Sequence, residues 1–170
     1  FMIVGHLIDV SSGQNVTHMR LRKLTAIPLA SLPLELAIKS VKGNGKRQLV
    51  VFSDPLCPHC RKLDHELAGL TDITVHTFLY PIEQLNRGAT ERSRQIWCAP
   101  DRAKAWEAFV LKNVPPPPAA AGCQDPIAKI AEIGARHGFN ATPTLVFADG
   151  AVVQRQLPAA QIERLLKEVK

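Results

Sequence analysis

Leu49-Val50-Val51-Phe52-Ser53-Asp54-Pro55-Leu56-Cys57-Pro58-His59-Cys60 is the stretch that decides the fold of this chain. Its first four residues are apolar without alternation, as in a strand buried on both faces of a sheet. Beyond it the period changes: Cys60, Leu63, Leu67 and Leu70 recur at helical spacing along one face. A Cys-x-x-Cys pair therefore sits where a buried strand turns into a helix. Cys57 falls at the helix N-terminus, where unpaired backbone N–H groups and the helix dipole favour negative charge. A thiolate is stabilised there, so its pKa is expected below the free value of roughly 8.5. Pro58 suits the first helical position, because its missing N–H would have had no partner. His59 adds a ring able to donate a proton or carry charge. Cys60, one turn on and over the apolar face, is expected to be more buried and to have the higher pKa. That asymmetry suits thiol–disulfide exchange, with Cys57 attacking and Cys60 resolving the mixed disulfide.

Three other readings of the pair are weaker. Half of a zinc site lacks its second half, since Cys98 and Cys123 stand singly. A haem attachment needs His directly after the second Cys, and Arg61 stands there. An inert structural disulfide would close too short a loop to stabilise much. No cofactor and no metal is called for.

A second element is Asn140-Ala141-Thr142-Pro143-Thr144, which follows a helical stretch and opens an apolar strand. Proline is excluded from sheet interiors. Pro143 is either an ordinary strand-starting proline or, beside a redox pair, a cis proline. The second would leave the Thr142 backbone free to pair with an extended substrate.

Outward from these motifs the chain reads as α/β. Phe1 to Val10 is strand-like, and Thr17 could cap a short helix to Leu24. Glu35 to Val41 reads as an edge strand, Gly43-Asn44-Gly45 as a turn and Ile73 to Tyr80 as a strand. Thr90 to Leu111 reads as two helices broken near Pro100, and Pro115 to Pro118 as irregular loop. Ile127, Ile130, Ala131 and Gly134 mark a helix ended by Gly138. Thr144 to Ala148 forms a hairpin with Ala151-Val152-Val153 through Asp149-Gly150, and Ile162, Leu165, Leu166 and Val169 mark a last helix.

Composition bounds the rest. With 170 residues, 46% hydrophobic and 21% charged, the chain has enough for one domain with a real core, and disorder is excluded. No apolar run approaches the roughly 18 residues of a membrane span. A net charge of +6 permits acidic partners, but scattered basic residues and 5% aromatics do not indicate nucleic-acid binding. Four cysteines are too few for a disulfide scaffold of this length. Phe1 is no initiator and no signal-peptide pattern follows, so the start reads as a cut end.

Phe52 to Cys60, Ile96-Trp97-Cys98-Ala99, Thr142-Pro143 and Thr144 to Ala148 together resemble the bacterial periplasmic disulfide isomerases of the DsbC/DsbG type. The resemblance implies a thioredoxin-like fold with a helical insertion, preceded by a linker helix. It makes residues 1–10 the remnant of an N-terminal dimerisation domain, 11–33 a linker with a helix, and 34–170 the catalytic domain. It further implies catalytic Cys57 and Cys60, redox tuning by Pro58 and His59, substrate binding at Thr142 and Pro143, and a structural disulfide between Cys98 and Cys123. On the residues alone, two free thiols are the weaker alternative for Cys98 and Cys123. The implied partners are misoxidised secreted proteins and a DsbD-type membrane reductase. The intact parent is expected to be a homodimer in the periplasm, and this fragment a monomer.

Pro58-His59 departs from the isomerase norm and resembles the oxidising DsbA class, so a dithiol oxidase is the alternative. A non-catalytic peptide-binding or chaperone module is a further one. Asp54 is either a proton-transfer group for Cys60 or a turn residue before Pro55. His65, His76 and His137 read as surface or packing residues. Arg61 and Lys62 either help ionise Cys57 or form a solvated face.

Overall fold

Alternation along the Leu49–Phe52 run sets the layers. The computed structural model describes residues 5–168. Its elements are α1 (Val16–Leu24), β1 (Ile38–Lys42), β2 (Arg47–Ser53), α2 (Pro58–Ala68), β3 (Ile73–Leu79), α3 (Ala89–Trp97), α4 (Arg102–Lys112), α5 (Ile127–Arg136), β4 (Thr144–Phe147), β5 (Val152–Val153) and α6 (Ala159–Glu168). The strands form one sheet in the order β1-β3-β2-β4-β5. β2 and β3 run parallel across the α2 crossover, and the other neighbouring pairs are antiparallel.

β2 is the centre of that sheet and is covered on both sides. Leu49 and Val51 pack with Leu63 and Leu67 of α2 and Ile162 and Leu166 of α6. Val50 and Phe52 pack on the opposite face with Ile130 and Ile133 of α5 and with Ile27 and Leu32. None of the four exposes more than 2% of its surface, which is why the run shows no polar alternation. Burying each such side chain stabilises the fold by about 1.5–3 kcal/mol. A third cluster joins Ile38 and Leu79 to Ile96, Trp97, Trp106 and Phe109, seating α3 and α4 as a helical insertion between β3 and α5.

The turn after β1 does not close a hairpin. Lys42 and Arg47 both lie opposite Ile73, so β3 is inserted between β1 and β2. Asp72 holds the turn: its Oδ1 accepts the Asn44 N–H at 2.9 Å, and its carbonyl accepts the Arg47 N–H at 3.3 Å. Gly43 has a φ of +58°, and Asp72 fills the space where its side chain would stand. Gly134 on α5 is likewise required, because the Tyr80 ring occupies the place of a Cβ.

Three expectations differ in detail. The edge strand read over Glu35 to Val41 starts only at Ile38, because Leu34–Leu36 form a 3-10 turn. Thr17 lies inside α1 rather than capping it, and its Oγ1 accepts the Leu7 N–H at 2.8 Å. Within Phe1–Val10, the described residues form no strand but a single bridge between Ile8 and Asn15, with an Asp9 turn between them. Residues 1–4 and Val169 lie outside the described residues. Cys98, at the C-terminus of α3, is disulfide-bonded to Cys123, which fastens the proline-rich loop to the helical insertion. No helix among the described residues is long and apolar enough to cross a membrane.

Candidate active site

Register brings the two motifs together. β4 runs antiparallel to β2, with Thr144 opposite Phe52, so the residues just before Thr144 face the loop that leaves β2. The Thr142-Pro143 peptide is cis, and the Cys57 Sγ lies 3.5 Å from the Thr142 carbonyl oxygen. Cys57 occupies the N-cap of α2 with extended backbone, Pro58 follows in the first turn, and the Arg61 N–H closes the first helical bond onto the Cys57 carbonyl at 3.1 Å. Cys57 exposes 6% of its surface and Cys60 none, while Pro58 and His59 between them are exposed. Both cysteines are free thiols.

The two sulfurs are held in opposite protonation states. Cys57 is lowered to about 5, chiefly because the Cys60 thiol donates to it. The Cys60 and His59 backbone amides and the Thr142 hydroxyl add to this, against the opposing effect of burial. Cys60 is pushed far upward by burial and by the neighbouring Cys57. The helix-terminus reading anticipated the amides. The larger contribution of the Cys60 thiol depends on where the first turn places that side chain.

Asp54 is fully buried and its carboxylate is occupied. Oδ1 accepts the Leu56 N–H at 2.8 Å, and Oδ2 accepts the Ile82 N–H at 2.8 Å and the Asn86 side-chain amide at 2.9 Å. Its contact with Cys60 is made by the backbone, whose N–H points at Sγ at 3.3 Å. Ile82 and Asn86 are too distant in the chain for any local pattern to have marked them. Arg61 turns away toward α4, donating to the Phe109 carbonyl at 3.3 Å and the Asn113 Oδ1 at 2.9 Å, and it is not among the groups that lower Cys57. Lys62 and His65 are exposed. His76 is buried on β3 with Nε2 2.9 Å from the Gln48 Oε1, and His137 stacks on Phe139.

Two features carried no signal in the sequence. Asp64, one turn beyond Cys60, accepts the Trp106 Nε1–H at 3.1 Å, and burial pushes its carboxyl up to about 7. Beside Cys57 lies a groove of about 450 Å³ lined by Leu56, Pro58, Arg61, Arg92, Phe109 and Asn113.

A Cys-x-x-Cys pair of free thiols at a strand-to-helix junction, faced by a cis proline ahead of an antiparallel strand, defines a thioredoxin-like protein. Residues 34–170 match the thioredoxin-like domain family. The chain is 41% identical over 170 residues to the probable thiol:disulfide interchange protein DsbC of Bordetella avium, covering 99% of this chain and 60% of that protein. Against the thiol:disulfide interchange protein DsbC of Escherichia coli K12 it is 30% identical over 172 residues, covering 98% and 69%. The crystal structure of a disulfide interchange protein from Neisseria gonorrhoeae superposes with a TM-score of 0.77 at 42% identity, covering 81% of this chain and 97% of that one. The chain belongs to the thioredoxin-like family and, within it, to the DsbC thiol:disulfide interchange proteins. It spans about three-fifths of the length of the Bordetella relative.

Proposed function

We propose that this chain is the thiol–disulfide exchange unit of a disulfide isomerase or reductase acting on misoxidised secreted proteins. The observation that carries the reading is the split between Cys57, lowered to about 5, and the fully buried Cys60 beside it. The Cys57 thiolate attacks one sulfur of a substrate disulfide. That S–S bond breaks, a mixed disulfide forms, and the other substrate sulfur leaves as a thiolate that takes up a proton. In isomerisation the freed thiolate attacks a different substrate disulfide, and the substrate thiolate this releases attacks the mixed disulfide, forming a new substrate S–S bond and returning Cys57 as its thiolate with no net electron transfer. In reduction Cys60 gives up its proton and attacks the Cys57 sulfur. The substrate leaves as a dithiol and Cys57–Cys60 is left oxidised.

Thr142 and Pro143 are read as the edge against which an extended substrate segment lies, and Pro58 and His59 as tuning residues. Asp54 is read as holding the loop rather than moving protons. Residues 34–170 are read as the catalytic unit and 11–33, which contain α1, as the linker. A dithiol reductant of the DsbD type, a periplasmic setting and pairing with a second copy in the longer protein are part of this reading, supported by the likeness to proteins named DsbC. The test is recovery of activity from scrambled ribonuclease. Wild type should restore it and Cys57→Ala should not; equal recovery would remove the reading.

Cys57 also supports a second reading. Strong stabilisation of its thiolate favours the reduced form, which makes a pair oxidising, and Pro58-His59 points the same way. A potential in the range of strong oxidants, with no repair of scrambled substrate, would favour a dithiol oxidase.

A further inference from the structure

The groove beside the nucleophile carries charge for which the exchange chemistry has no use. Leu56 and Pro58, the chain neighbours of Cys57, form one wall, so the groove opens alongside the attacking residue. Phe109 of α4 forms the other. Its ring carries two guanidinium groups, Arg61 of α2 at 4.9 Å from the centroid and Arg92 of α3 at 5.0 Å. Arg61 is fixed further by its bonds to the Phe109 carbonyl and to Asn113. Arg92 has the ring as its partner and pairs with no carboxylate among the described residues. No acidic side chain lines the groove.

Both arginines are half-buried. Two like charges drawn to one ring repel each other. The ring's negative face compensates in part, and each planar fork keeps N–H donors to offer. Such a pair is complementary to a carboxylate, which can take two parallel N–H donors from a guanidinium.

We propose that Arg61, Phe109 and Arg92 form a subsite for an acidic side chain of the substrate, an Asp or Glu within about two residues of the cysteine that Cys57 attacks, since each extended residue spans about 3.3 Å. The subsite rests on the exchange reading above and gives it a substrate preference: disulfides flanked by acidic residues are captured faster than those flanked by basic ones. Arg92 is the specificity-determining residue, because its guanidinium has no carboxylate or carbonyl acceptor among the described residues. Arg61 is shared with the helix contacts.

The test uses the reduced 170-residue chain and three short peptides, each capped on its single cysteine as a glutathione mixed disulfide. They differ only in carrying Glu, Gln or Lys beside that cysteine. Second-order exchange rates are read at neutral pH in low and high salt. The Glu peptide should react about three- to tenfold faster than the Gln peptide and the Lys peptide more slowly, with the spread shrinking in high salt. The Glu-to-Gln ratio should fall toward one in Arg92→Gln and be largely kept in Arg92→Lys. Equal rates for the three peptides at low salt would overturn the subsite. So would a ratio that survives Arg92→Gln, since the preference would then come from the net charge of the chain. If Arg92→Gln does not fold, the wild-type series and its salt dependence decide. Exchange that persists in Cys57→Ser would instead remove the underlying function.

Discussion

The Sγ of Cys57 lies 3.5 Å from the carbonyl oxygen of Thr142, although 85 positions separate the two residues. The contact exists because β4 pairs antiparallel with β2 and places the Thr142-Pro143 peptide beside the helix start. The Thr142 hydroxyl is one of the groups that hold Cys57 down. Thr142→Val should therefore raise the Cys57 pKa by about half a unit, as befits one weak hydrogen bond to sulfur. Thiolate absorbance followed through an acid titration reads the shift directly, and an unchanged midpoint would show that the hydroxyl contributes nothing.

Reactivity should follow the Cys57 titration. With the thiol lowered to about 5, the thiolate form dominates at neutral pH and disappears as the solution is acidified through that value. Alkylation by iodoacetamide should be nearly flat above about pH 6 and fall about tenfold per unit well below the midpoint. Cys60, pushed upward and fully buried, should resist the reagent over the same range. A Cys57 rate that still climbs steeply between pH 7 and about 9, as for an ordinary thiol, would contradict the site's electrostatics.

Asp54 joins the loop after β2 to the segment after β3 through Leu56, Ile82 and Asn86. Asp54→Ala would strand these part-buried donors and should cost about 1–3 kcal/mol, since water can reach some of the orphaned groups. Chemical denaturation of the reduced chain measures this. If the carboxylate holds the loop rather than relaying protons, Asp54→Asn should lower stability while leaving the pH profile of the Cys60 resolving step unchanged in shape. A profile that loses a titrating limb would restore the proton-transfer role.

The Cys98–Cys123 disulfide closes a loop of sequence separation 25. Replacing both cysteines with Ala should destabilise the chain by about 3–4 kcal/mol if the bond acts through the entropy of the unfolded state. Urea unfolding of wild type and the double variant gives the difference. Peptide exchange by Cys57 should survive in whatever fraction remains folded.

Asp64 predicts a pH dependence of opposite sense to an ordinary surface carboxylate. Its pKa is raised to about 7 from 3.8 by burial, so the folded state binds a proton that the unfolded state has lost. Its contribution is full below the unfolded value and is lost as pH rises through the folded one. Relative to Asp64→Asn, which can still accept the Trp106 N–H, wild type should lose stability between about pH 4 and pH 7. The loss should be of order 1 kcal/mol or more after allowance for partial exposure, one pKa unit being about 1.4 kcal/mol. Parallel pH curves for the two proteins would show that the carboxyl is ionised throughout.

The sequence by itself determined whatever depends on neighbours along the chain. The unbroken Leu49–Phe52 run fits a strand covered on both faces. The spacing from Cys60 to Leu67 fits one helix face, and Pro58 suits the place where a helix begins. From these the position of Cys57 and its thiolate character followed. Tertiary structure alone decided what depends on register. Asp54 meets Ile82 and Asn86, Asp64 meets Trp106, and two arginines from different helices share the Phe109 ring. The turn at Gly43–Gly45 also let β3 enter between β1 and β2, where adjacent strands would otherwise form a hairpin. Periodicity reports which face of an element is buried. It carries no information about which distant side chain waits on the other side, because that is fixed only when sheet order and helix docking are chosen together.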